Sequence, residues 1–251
     1  MFKCLFILVS FLFVSNDELQ TGIDYFNARA DNAIELQAST INVDKAIQIF
    51  ESELKENKNN KIAGGYYLQC LNFKGRFVFV SNSEKKKVYN QAIEVGNRLV
   101  LQFPKDGKIR FELISSIGLL AEINGVIKSA EAGVLEQMLY HTKILIESDS
   151  MYNDGGGWKV FAVLNYKTPN VPFVLTWPDK NKAVAIMKNT LKYFPNSVGC
   201  NFYYAEALLE NKNKILAKIY FQFAVKLPAR KEYVLEDEYF KIKSEKYLEK
   251  L

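Results

Sequence analysis

Apolar residues recur along the chain at the spacing of one face of an α-helix. The clearest pattern is a small or medium residue, others four and seven positions later, and then a proline. Three copies are Ala92, Gly96, Leu99 and Pro104; Ala183, Met187, Thr190 and Pro195; and Ala217, Phe221, Ala224 and Pro228. A small first residue lets a neighbouring helix approach closely, and the proline ends the helix.

Two weaker copies of this pattern begin at residues 46 and 138. They are Ala46, Phe50 and Glu53, without a proline, and Met138, Thr142 and Leu145, with Ser150 in the proline position. Ala217 follows Ala183 by 34 residues, which is the period of the tetratricopeptide repeat (TPR). The earlier intervals are 45 or 46 residues. The spacing therefore predicts the second helices of TPR-like hairpins, with about a dozen extra residues in each earlier hairpin.

First helices are predicted between these second helices, at about 62–80, 108–123 and 197–210, and a charged amphipathic helix at 232–251. Ser81 (with Glu84 as a capping box), Ser129 and Asp179 have the character of helix N-caps. The predicted fold is all-α: four to five degenerate TPR-like hairpins in a curved solenoid or closed bundle, followed by a C-terminal helix.

One segment, 154–178, breaks the helical rhythm. It holds three consecutive glycines, three prolines and both tryptophans, so it is predicted to be an ordered loop around a short helix at 158–166. Its aromatic residues are candidate ligand-binding or partner-binding residues, because aromatic side chains dominate binding hot spots. They are Trp158, Phe161, Tyr166, Phe173 and Trp177. The alternative is that they pack the loop onto the bundle.

Tyr67 and Tyr204 are further candidates, because they fall on predicted first helices. First helices line the inner face of a TPR array, where such residues could contact a ligand or partner. The alternative is again packing within the core.

Residues 1–15 are typical of a signal peptide. Lys3 precedes an apolar run at 5–14, and Asn16 follows it. The run is too short to span a bilayer, which needs about 20 apolar residues. The segment predicts export of a single helical domain, 16–251; an uncleaved anchor or a buried first helix is the alternative. The cysteines beyond the leader, Cys70 and Cys200, are predicted to be buried thiols, and a disulfide between them is the alternative.

Charge and motifs point away from catalysis and nucleic acid. The net charge is +5, and lysines alternate with acidic residues along most of the chain, which is typical of solvated helix faces. His141 is the only histidine and is predicted to lie at the surface or partly buried. No pattern of a zinc site or a nucleophilic triad occurs. The sequence therefore predicts a protein that is not an enzyme and has no cofactor or metal.

A longer motif resembles one known family. It runs through the glycines at 155–157, prolines 169 and 172, Trp177, Asp179-Lys180, Phe194-Pro195-Asn196 and the stretch 204–208. This order resembles the T-component family of TRAP-type (tripartite, periplasmic) transporters, over about a third of the chain. Unlike the lipoprotein members, this chain has no lipid-acceptor cysteine after its leader.

The resemblance implies an exported bundle of TPR-like hairpins that accompanies a periplasmic solute-binding protein. The predicted function is a non-catalytic extracytoplasmic binding protein, accessory to TRAP-type solute transport and located in the periplasm or envelope. The expected partners are a protein and a small apolar or anionic ligand. Self-association is also expected, whereas nucleic acid is not an expected partner. The alternative function is an envelope assembly adaptor with TPR-like repeats and no small ligand.

Overall fold

The computed structural model describes residues 17–168 and 177–251. The predicted signal peptide and the candidate Phe173 lie outside the described residues. Within these ranges the chain is helical between short connections, apart from one isolated β-bridge between Ile34 and Gln37. None of the helices in this part of the chain is long and apolar enough to cross a membrane.

The chain divides into two compact units, Met1–Pro104 and Lys105–Leu251. The first contains α1 (17–27), α2 (Thr40–Glu56), α3 (Lys61–Phe77) and α4 (Asn82–Gln102). The second contains α5 (Gly107–Asn124), α6 (Val126–Glu131), α7 (Val134–Asp149), α8 (Tyr152–Lys167), α9 (Lys180–Tyr193), α10 (Val198–Glu210), α11 (Lys214–Lys226) and α12 (Val234–Leu248), with a 3-10 turn at Lys231–Tyr233. The prediction that 16–251 is a single domain stays a prediction.

The helices pair into TPR-like hairpins in the predicted register. The second helices are α2, α4, α7, α9 and α11, and every residue of the five predicted triads is buried in them. Helices α4, α9 and α11 each end two residues before their proline, because a residue that precedes proline disfavours helical geometry. The prediction of an all-α TPR-like fold is therefore confirmed.

The extra residues of the earlier hairpins lie in three different places. Helices α3 and α4 have 17 and 21 residues, whereas α10 and α11 have 13 each. The hairpin of α5 and α7 instead contains the additional short helix α6, and the hairpin of α8 and α9 has a long connection between its helices. The buried triads keep the same pattern throughout, so the added length does not disturb the faces that pack.

Two of the three predicted N-caps are confirmed. The Ser81 side chain accepts a hydrogen bond from the backbone N–H of Glu84, and that of Asp179 accepts from Lys182. The prediction for Ser129 is wrong. Ser129 lies inside α6, and its hydroxyl donates to the carbonyl oxygen of Gly125, because this helix begins several residues earlier than the sequence suggests.

The segment 154–178 is helical over more of its length than predicted. Asn153, Asp154 and Gly155 adopt left-handed backbone conformations, and regular helix follows from Gly156. A Cβ atom on Gly156 would lie 2.6 Å from the ring of Phe111 on α5, so the glycine permits a close approach of the two helices. The loop prediction is therefore wrong at its start, because tertiary packing outweighs the low helix propensity of glycine.

Helix α12 covers the last hairpin, as the predicted C-terminal helix should. The ring of Phe240 lies 5.0 Å from that of Phe202 on α10, and the ring of Tyr247 stacks on Phe221 of α11 at 4.7 Å. These aromatic contacts occupy the apolar face to which a further hairpin would otherwise pack.

Candidate functional site

The predicted site residues of the first helices are packed in the core. Tyr67 is 3% exposed, its hydroxyl accepts a hydrogen bond from Gln91, and burial raises its pKa to about 12. Tyr204 is 4% exposed, and its ring meets Tyr220 edge to face at 4.6 Å. These contacts match the core-packing alternative for both residues.

The described aromatic candidates of 154–178 differ in burial. Trp158, Phe161 and Trp177 are half-buried, and no ring contact joins them in the described ranges. The Lys182 ammonium lies 5.0 Å from the centre of the Phe161 ring, which is a cation–π contact. Tyr166 differs from the other three because it is buried, and its hydroxyl belongs to a polar cluster.

This cluster surrounds the carboxylate of Glu206, which we call the Glu206 cluster: Tyr166, Lys167, Glu206, Lys243 and Tyr247. Tyr166 donates to Oε2 at 2.6 Å, and Tyr247 donates to Oε1 at 2.9 Å. Lys167 Nζ lies 3.4 Å from Oε1. Glu206 is 2% exposed, and a carboxylate so buried is stable only with partners of this kind.

The Glu206 cluster joins three helices of the second unit. Tyr166 and Lys167 end α8, Glu206 lies on α10, and Lys243 and Tyr247 lie on α12. Helices α8 and α10 are the first helices of their hairpins. The cluster is the candidate site of the second unit, because it brings charged and hydrogen-bonding side chains of three helices together around one buried carboxylate.

Three members of the cluster, Tyr166, Tyr247 and Lys243, have raised pKa values. Burial and the Glu206 carboxylate raise the pKa of both Tyr166 and Tyr247, so both phenols stay protonated and donate. Burial lowers the pKa of Lys243, whereas Tyr239 and Glu206 raise it by a larger amount, so the pKa of Lys243 is elevated. Tyr166, Tyr247 and Lys243 therefore keep their protons at neutral pH and act as donors.

Lys167 is the member of the cluster that solvent reaches most easily. Its side chain is 43% exposed, whereas that of Glu206 is 2% exposed. A partner carboxylate could approach the Lys167 ammonium without displacing the two tyrosine hydrogen bonds. The arrangement can thus bind an acidic group at the surface while Glu206 keeps the ammonium in place.

A second polar network fixes α12 to the left-handed turn at the start of α8. Arg230 binds both carboxylate oxygens of Asp237, at 2.9 and 2.7 Å, and reaches Asp154 at 2.8 Å. Lys159 donates to the carbonyl oxygen of Asn153 at 2.7 Å, and burial lowers its pKa. This network holds the left-handed conformations of Asn153 and Asp154, which cost energy in residues other than glycine.

Comparison with solved structures agrees with this architecture. A thermophilic TPR protein from Thermus thermophilus superposes with a TM-score of 0.62 over 93% of this chain and 98% of its own, at 18% sequence identity. The fold is TPR-like. No protein-family model matches the sequence, and no curated protein sequence matches it.

In this TPR-like protein, the prediction for His141 is wrong. His141 is 7% exposed on α7, and its Nδ1 lies 2.9 Å from Nη1 of Arg110 on α5. Burial, together with the charge of Arg110, lowers the His141 pKa to about 4. Arg110 stays protonated and donates, so the neutral imidazole accepts through Nδ1.

His141 should make the protein less stable in mild acid. Its pKa falls from 6.5 in the unfolded chain to about 4 in the folded one, so the stabilisation is complete above about pH 6.5. This stabilisation decreases as the pH falls below about 6.5, and it is fully lost once the pH has fallen through about 4. The total loss in the free energy of unfolding is about 3 kcal/mol. His141→Gln keeps an acceptor for Arg110 but does not titrate, so urea unfolding should show a flatter acid limb. Equal slopes for both proteins would contradict the assignment.

Sequence reasoning identified Tyr166 but missed Glu206, Lys167, Lys243 and Tyr247. The only local signal is an acidic residue between two alanines, Ala205 and Ala207, in an otherwise apolar helix. Charged residues at such positions are rarely buried without partners, so the position predicts a paired carboxylate.

Among the residues that the structure describes, no group of three or more His, Cys, Asp or Glu side chains could hold a metal ion.

Proposed function

We propose that this chain is a non-catalytic helical-repeat protein that binds a partner protein on the inner face of its second unit. The observation that carries the proposal is the repeat itself: five TPR-like second helices whose triads are all buried. Arrays of this kind have no single catalytic cleft and offer an extended face built from successive first helices.

The Glu206 cluster supplies the chemistry for that interaction. Lys167 lies at the end of α8 with a side chain that is 43% exposed, and Lys243 lies on α12. An acidic side chain or a C-terminal carboxylate on the partner would find a charge-assisted hydrogen bond there. The aromatic residues Trp158 and Trp177, which are half-buried, remain candidates for apolar contacts.

The finer part of the proposal concerns location and pathway. We infer that the protein is exported and accompanies a solute-binding protein of a TRAP-type transporter. The leader at 1–15 supports export, and the order of residues from Gly155 to Leu208 supports the T-component resemblance. An envelope adaptor without a small ligand is the second candidate, because the Glu206 carboxylate is already bound by side chains of the chain itself.

A tagged pull-down from the native cell envelope, with bound proteins and small molecules identified by mass spectrometry, tests this function. We expect recovery of a solute-binding protein or a transporter subunit. Recovery of an unrelated envelope complex without a ligand would support the adaptor. Absence of any enriched protein would contradict partner binding altogether.

A matched pair of variants locates the partner. Lys167→Ala should lower recovery several-fold, because it removes the most accessible ammonium of the Glu206 cluster. Lys105→Ala, which removes an exposed lysine elsewhere in the second unit, should leave recovery unchanged. Equal recovery with both variants would place the partner on another surface.

A further inference from the structure

Helix α11 exposes a row of large apolar side chains. Ile215, Ile219 and Phe223 are 82%, 41% and 52% exposed, and their spacing of four residues places them in one stripe. The opposite face of the helix is fully used, since Ala217, Phe221 and Ala224 are buried in the core of the second unit. Single exposed apolar residues are common, but a stripe of three on one helix marks a surface that contacts something.

Lysines flank this stripe in a stretch of sequence without acidic residues. Residues 211–231 contain six basic side chains and no aspartate or glutamate. Lys214, Lys218 and Lys226 are exposed, and none of them forms an ion pair with a residue in the described ranges. We call these three lysines with Ile215, Ile219 and Phe223 the α11 face.

The neighbouring second helix extends the same charge pattern. Helix α9 also packs on α10 and carries four lysines, while residues 180–205 contain no acidic side chain. Lys188 and Lys192 are exposed. Elsewhere in the chain lysines alternate with acidic residues, so the positive charge is concentrated on the second helices of the last two hairpins.

We propose that the α11 face docks onto a lipid bilayer surface that contains anionic lipids. A helix that combines a lysine-rich surround with exposed isoleucine and phenylalanine has the composition of an interfacial helix. The apolar stripe enters the boundary between headgroups and acyl chains. The lysine stems extend so that the ammonium groups reach the lipid phosphates.

The choice of lysine favours a membrane over a protein partner. Protein interfaces are depleted in lysine and enriched in arginine, because the planar guanidinium forms bidentate contacts. The α11 face contains lysine alone, which acts as a flexible point charge. A surface of mobile headgroups suits such charges, whereas a structured acidic protein would be better matched by arginine.

Vesicle co-sedimentation of the full chain tests the proposal. Phosphatidylcholine vesicles with phosphatidylglycerol should bind the protein, and binding should weaken as salt is raised. Phosphatidylcholine alone should bind it far less. Lys214→Gln, Lys218→Gln and Lys226→Gln together should lower the partition coefficient about 100-fold. Each lysine near an anionic surface raises that coefficient severalfold, and the three effects multiply. Ile215→Gln with Phe223→Gln should lower it at least about tenfold.

Matched substitutions on other surfaces separate the α11 face from general charge and from the apolar leader. Lys58→Gln, Lys87→Gln and Lys105→Gln change the net charge equally, and Ile41→Gln with Leu101→Gln removes two exposed apolar residues. Both control proteins should bind vesicles as wild type does. Equal losses in test and control variants would overturn the proposal. Failure of the wild-type protein to bind anionic vesicles would also overturn the proposal. If the α11 variants then lost binding to a protein, the α11 face would be a protein interface.

Discussion

Ala217→Asp is expected to lower the melting temperature by about 10 °C or more, since a loss of about 4 kcal/mol shifts a domain of this size by that amount. Ala217 has no exposed surface and lies in the core cluster between α10 and α11. A carboxylate there has no counter-charge and no room, and burying an unpaired charge is among the most destabilising single changes. Thermal unfolding followed by circular dichroism measures the shift.

The adjacent residue provides the control for this substitution. Lys218→Asp introduces the same side chain on the exposed side of α11, so its effect on stability should stay within about 0.5 kcal/mol. A melting temperature for Ala217→Asp equal to that of the control would show that the repeat register is wrong.

Arg230→Met is expected to cost about 3–5 kcal/mol, because it leaves a buried charge without its partner. The Asp237 side chain has no exposed surface, and Arg230 contacts both of its carboxylate oxygens. Methionine keeps an unbranched apolar stem of similar length, so the change isolates the loss of charge. Urea unfolding of the variant and wild type at neutral pH gives the difference.

Two further variants interpret that measurement. Lys180→Met breaks the pair with Glu210, whose side chains are about half exposed, and should cost less than about 1 kcal/mol. Arg230→Met with Asp237→Leu removes both buried charges and should be more stable than Arg230→Met alone. If Arg230→Met lowered the free energy of unfolding no more than Lys180→Met does, the Arg230 network would not be the interaction that fixes α12.

The register of the hairpins is predictable because it depends on local spacing. The triad that begins at Ala183 and the proline at Pro195 are read within a dozen residues, and burial of one helical face follows directly from them. The same reasoning locates α10, whose N-cap Ser197 lies at the predicted first position. Degenerate copies such as that at Ala46 are equally buried, so the spacing carries more information than residue identity.

The polar clusters are not predictable in the same way, because their members lie far apart in sequence. Tyr166 and Tyr247 are 40 and 41 residues from Glu206, and Arg110 is 31 residues from His141. No local period links such pairs, so the sequence does not show which residues meet. The helical start of α8 is not predictable for a related reason. Gly156 packs against Phe111 of α5, 45 residues earlier, and this contact, which leaves no space for a Cβ atom, cannot be read from the local sequence.

The unequal hairpins bear on how such an array can change over evolution. Length is added through longer helices in α3 and α4, through the short helix α6, and through the connection before α9. Each doubling of a connection costs only about 0.6 kcal/mol of loop entropy, so insertions between helices are tolerated wherever the triads remain intact. Each insertion shifts the repeats out of register in the sequence, but it leaves the stacking of the helices unchanged. Descendants of one ancestral array can therefore keep a common shape long after their repeats have ceased to align with one another.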